Sequence, residues 1–260
     1  MGGRVEVRRE GPLGWIVFDH PERRNALSLE MWRAIPDAVA TLEGDAGVRV
    51  VGLRGAGDTA FVSGADISQF EQARSGTDAG DYDRTTAHAF EALAHCAKPV
   101  LALIHGFCVG GGCAVALTAD LRYAADDALF AIPAARLGLG YGPPLLETLV
   151  RLVGPSYAKE IVFSARRFPA ADALRMGLVN GVFPKSELET RVRALAEGIA
   201  ENAPLTLRSA KLVVRELARE PAARDAAAIA ASIRACYESE DYQEGVRAFL
   251  EKRPPVFRGR

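Results

Sequence analysis

The chain has 260 residues, of which 49% are hydrophobic and 25% are charged, and its formal net charge is −1. These proportions are typical of a globular protein with a sizeable core, and the balanced charge gives no support for binding nucleic acid or a membrane surface. No apolar run reaches about 18 residues, the N-terminal segment lacks the apolar stretch of a secretory signal, and the four cysteines show no disulfide-like spacing. We therefore expect a reduced, cytoplasmic protein without a metal site.

The first part of the chain alternates between strands and helices. A hairpin is predicted around Gly11-Pro12, and its second strand, WIVFD, is apolar enough to be covered on both faces. Ser28 is placed to cap a helix whose apolar residues recur at helical spacing: Met31, Ile35, Ala38, Val39 and Leu42. Residues 48–54 are predicted as a buried strand, and the polar residues 75–83 as a mobile loop before a helix over 84–96.

Residues 101–119, LALIHGFCVGGGCAVALTA, combine an apolar strand, a glycine-rich passage and the start of a helix. The first turn of a helix carries unpaired N–H groups and a partial positive charge, and glycine lets a ligand approach the backbone closely. Such a turn can hold a phosphate or the oxygen of a polarised carbonyl. Close packing of a strand on a helix explains the glycines equally well at this point.

After this stretch the strand signal fades. Short strands are predicted over 120–125 and 129–132, and the remaining segments are helical: 145–153, 157–164, 170–176, 186–202, 205–219, 222–237 and 239–252. The pattern indicates an α/β core followed by a helical C-terminal region.

Several patches occur in an order that carries a family resemblance. They are RRNAL at 23–27, FVSGADI at 61–67, the glycines of 106–113, AADALRMGLVN at 170–180 and SEDYQEGVRAFLEKR at 239–253. Together they resemble the crotonase, or enoyl-CoA hydratase/isomerase, superfamily over essentially the whole chain. The resemblance implies a spiral of ββα units over residues 1–200 that binds acyl-CoA. It also implies a helical region over 201–260 that builds a homotrimer or a dimer of trimers and covers the active site.

The same resemblance implies the chemistry of the site. The substrate is an acyl-CoA thioester that reacts through an enolate, and the carried-over oxyanion donors are the main-chain N–H groups of Ala65 and Gly111. Coenzyme A, as part of the substrate, is the only cofactor implied. The positions carried over as CoA contacts, with Lys252 reaching from a neighbouring subunit, are Arg23, Arg24, Ala26, Ala65, Asp66, Ile67, Gly110 and Lys252.

The chain departs from the family pattern at both hydratase glutamates. Those positions hold Ala114 and Ala134, which can neither accept nor donate a proton, so classical hydration of an enoyl-CoA is expected to be poor. Tyr141 is the first candidate to replace them, since some decarboxylases of the family, such as methylmalonyl-CoA decarboxylase, have a tyrosine in a similar segment. Those decarboxylases carry histidine where this chain has Ala65. His88 and Glu147 are weaker candidates for a residue facing the acyl group.

Three functions remain open from the sequence. The first is an enzyme that uses a thioester enolate for decarboxylation, isomerisation or ring cleavage. The second is a family member that binds acyl-CoA without turnover, which the loss of both glutamates allows. The third is a nucleotide-binding protein with a phosphate loop at 106–112, but the glycine spacing is not GxGxxG and no Lys-Ser/Thr pair follows.

Overall fold

A computed structural model describes residues 2–66 and 79–260. The chain begins with the predicted hairpin, in which β1 (Arg4–Glu10) pairs antiparallel with β2 (Leu13–Asp19). Alternate residues of β2 enter two different cores. Ile16 and Phe18 pack with α1 (Leu29–Gly44), whereas Trp15 and Val17 pack with α6 (Lys185–Ala200) on the opposite face. The expectation that this strand is covered on both sides is therefore confirmed.

Two sheets share the strands that follow. The larger sheet has the order β1-β2-β3-β5-β7-β10 and the smaller one has the order β4-β6-β8-β9. From β3 to β8 the chain therefore alternates between the sheets, and helices follow the pairs β3-β4, β5-β6 and β7-β8. This is the ββα spiral expected from the sequence. The strand bounds are β3 (Val50–Gly55), β4 (Ala60–Val62), β5 (Val100–Ile104), β6 (Phe107–Val109), β7 (Leu121–Ala125), β8 (Leu129–Ala131), β9 (Phe168–Pro169) and β10 (Gly181–Phe183).

The helices lie around this double sheet. Ser28 caps α1 as predicted, because its side chain accepts a hydrogen bond from the Met31 N–H at 3.3 Å, and the five predicted apolar positions of α1 are all buried. The remaining helices are α2 (Ala79–His95), α3 (Gly111–Thr118), α4 (Pro143–Ser164), α5 (Ala170–Met176), α7 (Pro204–Leu217), α8 (Ala226–Tyr237) and α9 (Glu240–Glu251).

The structure corrects one predicted element and adds short strands that the sequence pattern does not indicate. Helix α2 begins at Ala79, so the predicted loop over 75–83 is wrong for residues 79–83; residues 75–78 lie outside the described part. The buried Tyr82 ties this first turn to the core. Strands β4, β6, β9 and β10 are not indicated by the sequence, because two or three residues are too few to show a period. The two helices expected over 145–153 and 157–164 are confirmed, because α4 consists of two helical segments separated by a kink at the non-helical Gly154 (φ 75°).

The C-terminal helices leave much apolar surface uncovered. Exposed side chains on α7, α8 and α9 include Val214, Tyr237, Phe249 and Leu250, with Phe249 84% exposed. The predicted boundary at residue 200 falls between α6 and α7, and the division into two functional regions stays a prediction, as does the trimer. Among the described residues, no helix is both long and apolar enough to cross a bilayer.

Candidate active site

A short parallel bridge positions the main-chain N–H of Ala65. The N–H of Leu27 donates to the Gly64 carbonyl at 2.8 Å, and the N–H of Asp66 donates to the Leu27 carbonyl at 2.9 Å. Successive backbone groups of an extended segment point to opposite sides, so the N–H of Ala65 faces away from Leu27. It has no acceptor within the described residues, and Ala65 lines a cavity.

The second donor lies at the start of α3. Gly110 precedes the helix with φ 52° and ψ −112°, a conformation suited to glycine, and its carbonyl accepts the first helical bond from the Ala114 N–H at 3.1 Å. Gly111 is therefore the first helical residue, and its N–H has no acceptor in the described part of the chain. Gly112 allows the close packing behind it, because a Cβ there would lie 2.0 Å from the Val62 carbonyl oxygen.

The two donors are neighbours in space. A Cβ built on Gly111 would lie 3.4 Å from the Ala65 nitrogen and 3.5 Å from the Gly64 carbonyl carbon. Two N–H groups that have no partner among the described residues and lie on adjoining segments, one of them at the positive end of a helix, are suited to bind a single oxygen that gains negative charge. The structure therefore brings together the two positions that the sequence analysis paired.

Asn25 holds the segment that supports this site, and the sequence analysis did not select it. Its side chain is 1% exposed, accepts from the His20 N–H at 2.9 Å, and donates to the carbonyls of Ala56 and Ala60 at 3.0 and 2.8 Å. The backbone at Asn25 has φ 58°, which asparagine tolerates better than most residues. Asn25 lies within the RRNAL motif. Asparagine is enriched in the left-handed backbone conformation, so its residue type was the signal from which this role could have been predicted.

Further bonds join the same loop to the segment before Ala65. The Ser63 N–H donates to the Arg24 carbonyl at 3.1 Å, and the Ser63 hydroxyl donates to the Arg23 carbonyl at 3.0 Å. The loop that Asn25 fixes therefore determines where the Ala65 N–H points.

A cavity of about 790 Å³ extends from the two donors. Ala114 and Ala134, which occupy the hydratase-glutamate positions, both line it, so this part of its wall carries no proton-transfer group. Tyr141 also lines the cavity, and its hydroxyl oxygen lies 4.0 Å from the position of a Cβ built on Gly110. The three candidate catalytic residues, Ala65, Gly111 and Tyr141, therefore line the same cavity.

Helix α2 forms another wall of the cavity. Phe90 packs edge to face against Trp32, with their ring centroids 5.1 Å apart, and Glu91 and His95 follow along the same side. Two weaker candidates lie elsewhere. His88 is exposed and is not among the cavity residues, and Glu147 forms an exposed ion pair with Arg151 at 2.6 Å. The suggestion that either side chain faces the acyl group is therefore not supported.

The predicted CoA-binding residues fall into several environments. Arg23 is exposed, Ala26 is buried, and the Arg24 guanidinium lies 4.7 Å from the centre of the Phe107 ring. Lys252 ends α9 on the surface and does not line the cavity. Ile67 lies outside the described residues.

Buried titratable groups lie behind the site. Burial, reinforced by the positive charges of Arg54 and Lys185, lowers the pKa of His105 to about 4. Burial also raises the pKa of the Cys108 thiol, whose sulfur is 3.9 Å from that of Cys113. Both effects favour neutral side chains in the core.

Comparison with known proteins shows which family model, relatives and solved structures this chain is similar to. Residues 8–260 match the family model described as enoyl-CoA hydratase/isomerase. The crotonyl-CoA hydratase of Syntrophomonas wolfei is 34% identical over 253 residues, covering 97% of each chain. A peroxisomal Delta(3,5)-Delta(2,4)-dienoyl-CoA isomerase of Arabidopsis thaliana is 34% identical over 254 residues, covering 93% of this chain and 91% of that one. A crystal structure of an enoyl-CoA hydratase/isomerase family protein from Hyphomonas neptunium has a TM-score of 0.94, at 36% identity and 98% coverage of both chains.

Proposed function

Because the chain belongs to the enoyl-CoA hydratase/isomerase family, we propose that it acts on an acyl-CoA thioester through an enolate held by Ala65 and Gly111. The observation that carries the proposal is a pair of main-chain N–H groups that line the cavity and have no acceptor among residues 2–66 and 79–260. A thioester oxygen placed between them gains negative charge as the enolate forms. Fixed donors therefore stabilise the transition state more than the bound substrate, and each contributes about 3 kcal/mol.

The reaction proposed for this chain is not ordinary water addition. A hydratase needs groups that activate water and return a proton, and each such group contributes about 10²–10⁴-fold to the rate. Ala114 and Ala134 supply neither. The relative named crotonyl-CoA hydratase therefore supports the acyl-CoA substrate class, but not the water chemistry, of this chain.

Decarboxylation is the second candidate, and the apolar wall beside Tyr141 favours it. Cleaving the bond between the α-carbon and a carboxylate releases carbon dioxide and leaves the electron pair as the thioester enolate, so no base is required. Two glutamates beside the substrate carboxylate would oppose its binding by charge repulsion, and alanines do not. In this proposal the Tyr141 hydroxyl, which lines the cavity near Gly110, orients the carboxylate or protonates the α-carbon afterwards.

A panel of thioesters tests these reactions. The protein is incubated with enoyl-, malonyl- and methylmalonyl-CoA, and the products are identified by mass, with Tyr141→Phe compared against Tyr157→Phe. Tyr157 is a matched control because its hydroxyl accepts from Arg175, 2.6 Å away, and it does not line the cavity. Loss of carbon dioxide that only Tyr141→Phe abolishes supports the decarboxylase. A rate unchanged in Tyr141→Phe removes this tyrosine from the mechanism.

Binding measurements separate the remaining alternatives. If calorimetry shows tight binding of acyl-CoA but none of the thioesters in the panel changes in mass, the chain is an acyl-CoA-binding protein without turnover. Binding of a dinucleotide such as NAD in preference to CoA would instead favour the phosphate-loop function.

The assembly belongs to the same proposal. We propose that the exposed apolar side chains of α7, α8 and α9 are covered in a homotrimer or a dimer of trimers, and that Lys252 then reaches the CoA of a neighbouring subunit. Sedimentation equilibrium tests the assembly, and a monomeric protein would contradict it.

A further inference from the structure

The cavity continues well beyond the two donors. Gly111, Ala114, Leu117 and Thr118 all line it, and they follow one side of α3 from its first residue to its last. A helix rises 1.5 Å per residue, so Thr118 lies about 10 Å along the axis from Gly111. An acyl chain whose carbonyl oxygen meets Gly111 can therefore run along α3 towards this far end.

The end of α2 meets the end of α3 at the same place. The Asp120 N–H donates to the Val100 carbonyl at 2.9 Å, and the Val100 N–H donates to the Asp120 carboxylate at 2.7 Å. These bonds join Val100, five residues after the end of α2, to Asp120, two residues after the end of α3. Glu91 and His95, in the last turns of α2, consequently line the cavity together with Thr118.

The three polar side chains at this end present acceptors. Within the described residues, the Glu91 carboxylate has neither an ion pair nor a hydrogen-bond partner. His95 Nδ1 lies 3.0 Å from the Glu91 carbonyl oxygen, which can only accept, so Nδ1 carries a hydrogen, and Nε2 is the acceptor in the tautomer whose hydrogen is on Nδ1. The Thr118 hydroxyl donates to the Val115 carbonyl at 2.7 Å, which leaves its oxygen lone pairs to accept.

An acceptor cluster at the end of an apolar passage selects a particular kind of ligand. Ala114, Leu117 and Phe90 line the intervening wall, so a polar group on the middle of the acyl chain finds no partner among them. We propose that the far end, defined by Glu91, His95 and Thr118, binds a hydrogen-bond donor at the end of the acyl chain, a hydroxyl or an ammonium group. This inference rests on the proposed acyl-CoA function and narrows its substrate class to ω-substituted, medium-chain thioesters.

Calorimetry with unreactive ligands tests the subsite without requiring turnover. Four saturated medium-chain acyl-CoAs that end in methyl, hydroxyl, ammonium or carboxylate are titrated into the wild-type protein, Glu91→Gln and Glu187→Gln. Glu187 is the matched control, because it is an exposed helical glutamate that pairs with Arg191 on α6 and does not line the cavity. The ammonium ligand should bind the wild-type protein most tightly and the carboxylate ligand least tightly.

The two variants should distinguish an effect of the Glu91 charge on binding from a general effect of the substitution on the fold. Glu91→Gln should weaken the ammonium ligand about fivefold, the upper range for a solvent-exposed ion pair, and leave the methyl ligand unchanged. Glu187→Gln should change neither. Equal affinities for the four ligands, or equal effects of the two variants, would overturn the subsite while leaving acyl-CoA binding intact. If even the methyl ligand fails to bind, the proposed function itself fails.

Discussion

Replacing Gly111 by proline removes one oxyanion donor and puts the ring Cδ in place of its hydrogen. The Gly111 N–H takes part in no hydrogen bond within the described structure, so its loss breaks none. Position 111 is the first residue of α3, where proline is favoured because its fixed φ suits the helix and its missing N–H has no helical partner. The preceding Gly110 has no Cβ, which relaxes the usual restriction on a residue before proline.

The expected effect follows from the number of donors. The site has two, and losing one typically costs about 3 kcal/mol, or 10²–10³-fold in kcat. Gly111→Ala is the matched control. It keeps the N–H but adds the same Cβ, which would lie 3.3 Å from Cζ2 of Trp32 and 3.4 Å from the Ala65 nitrogen. The Trp32 ring must therefore yield slightly in both variants, and only proline loses the donor.

Binding of an enolate mimic measures the donor directly. The affinity of acetoacetyl-CoA, which can bind as its enolate, is compared with that of butyryl-CoA by calorimetry, and thermal unfolding monitors the fold. We expect Gly111→Pro to lower the acetoacetyl-CoA affinity about 100-fold more than the butyryl-CoA affinity, whereas Gly111→Ala lowers both by similar, smaller factors. The reasoning is refuted if alanine and proline give the same selectivity, or if proline leaves it unchanged in a folded protein.

Three further predictions test the cavity wall at Ala114 and Ala134, the loop held by Asn25, and the buried His105. Restoring both glutamates, as Ala114→Glu with Ala134→Glu, should raise crotonyl-CoA hydration roughly 100-fold or more above the wild-type rate, whereas the double glutamine variant should not; a fast wild-type enzyme would contradict this. Asn25→Asp keeps the shape of the side chain. It replaces the amide nitrogen that donates to the carbonyls of Ala56 and Ala60 with an oxygen that accepts. It should lower the free energy of unfolding by about 2 kcal/mol or more, and an unchanged urea midpoint would contradict the role of the loop. Because the pKa of His105 is about 4 when folded and about 6.5 when unfolded, the unfolded chain binds more protons between these values. Stability should therefore fall by up to about 3 kcal/mol from pH 7 to pH 4, and His105→Gln should flatten this loss in urea unfolding; identical pH profiles would refute it.

The sequence by itself determined much of the local structure and the identity of the family. The apolar period of α1 and its Ser28 cap, the hairpin at Gly11-Pro12 and the glycine-rich entry to α3 are all local patterns, in which neighbouring residues carry the whole signal. The positions of Ala65 and Gly111 came from motif resemblance, since a backbone N–H has no signature of its own in a sequence.

Only the tertiary structure decided which groups meet. The proximity of Ala65 and Gly111 depends on the bridge at Leu27 and on the bonds that Asn25 makes to the backbone of His20, Ala56 and Ala60. Strands as short as β9 and β10 form because neighbouring strands complete their hydrogen bonds, not because their residues favour a strand. The meeting of α2 and α3 at the far end of the cavity likewise depends on contacts between residues far apart in the chain, which spacing alone does not encode.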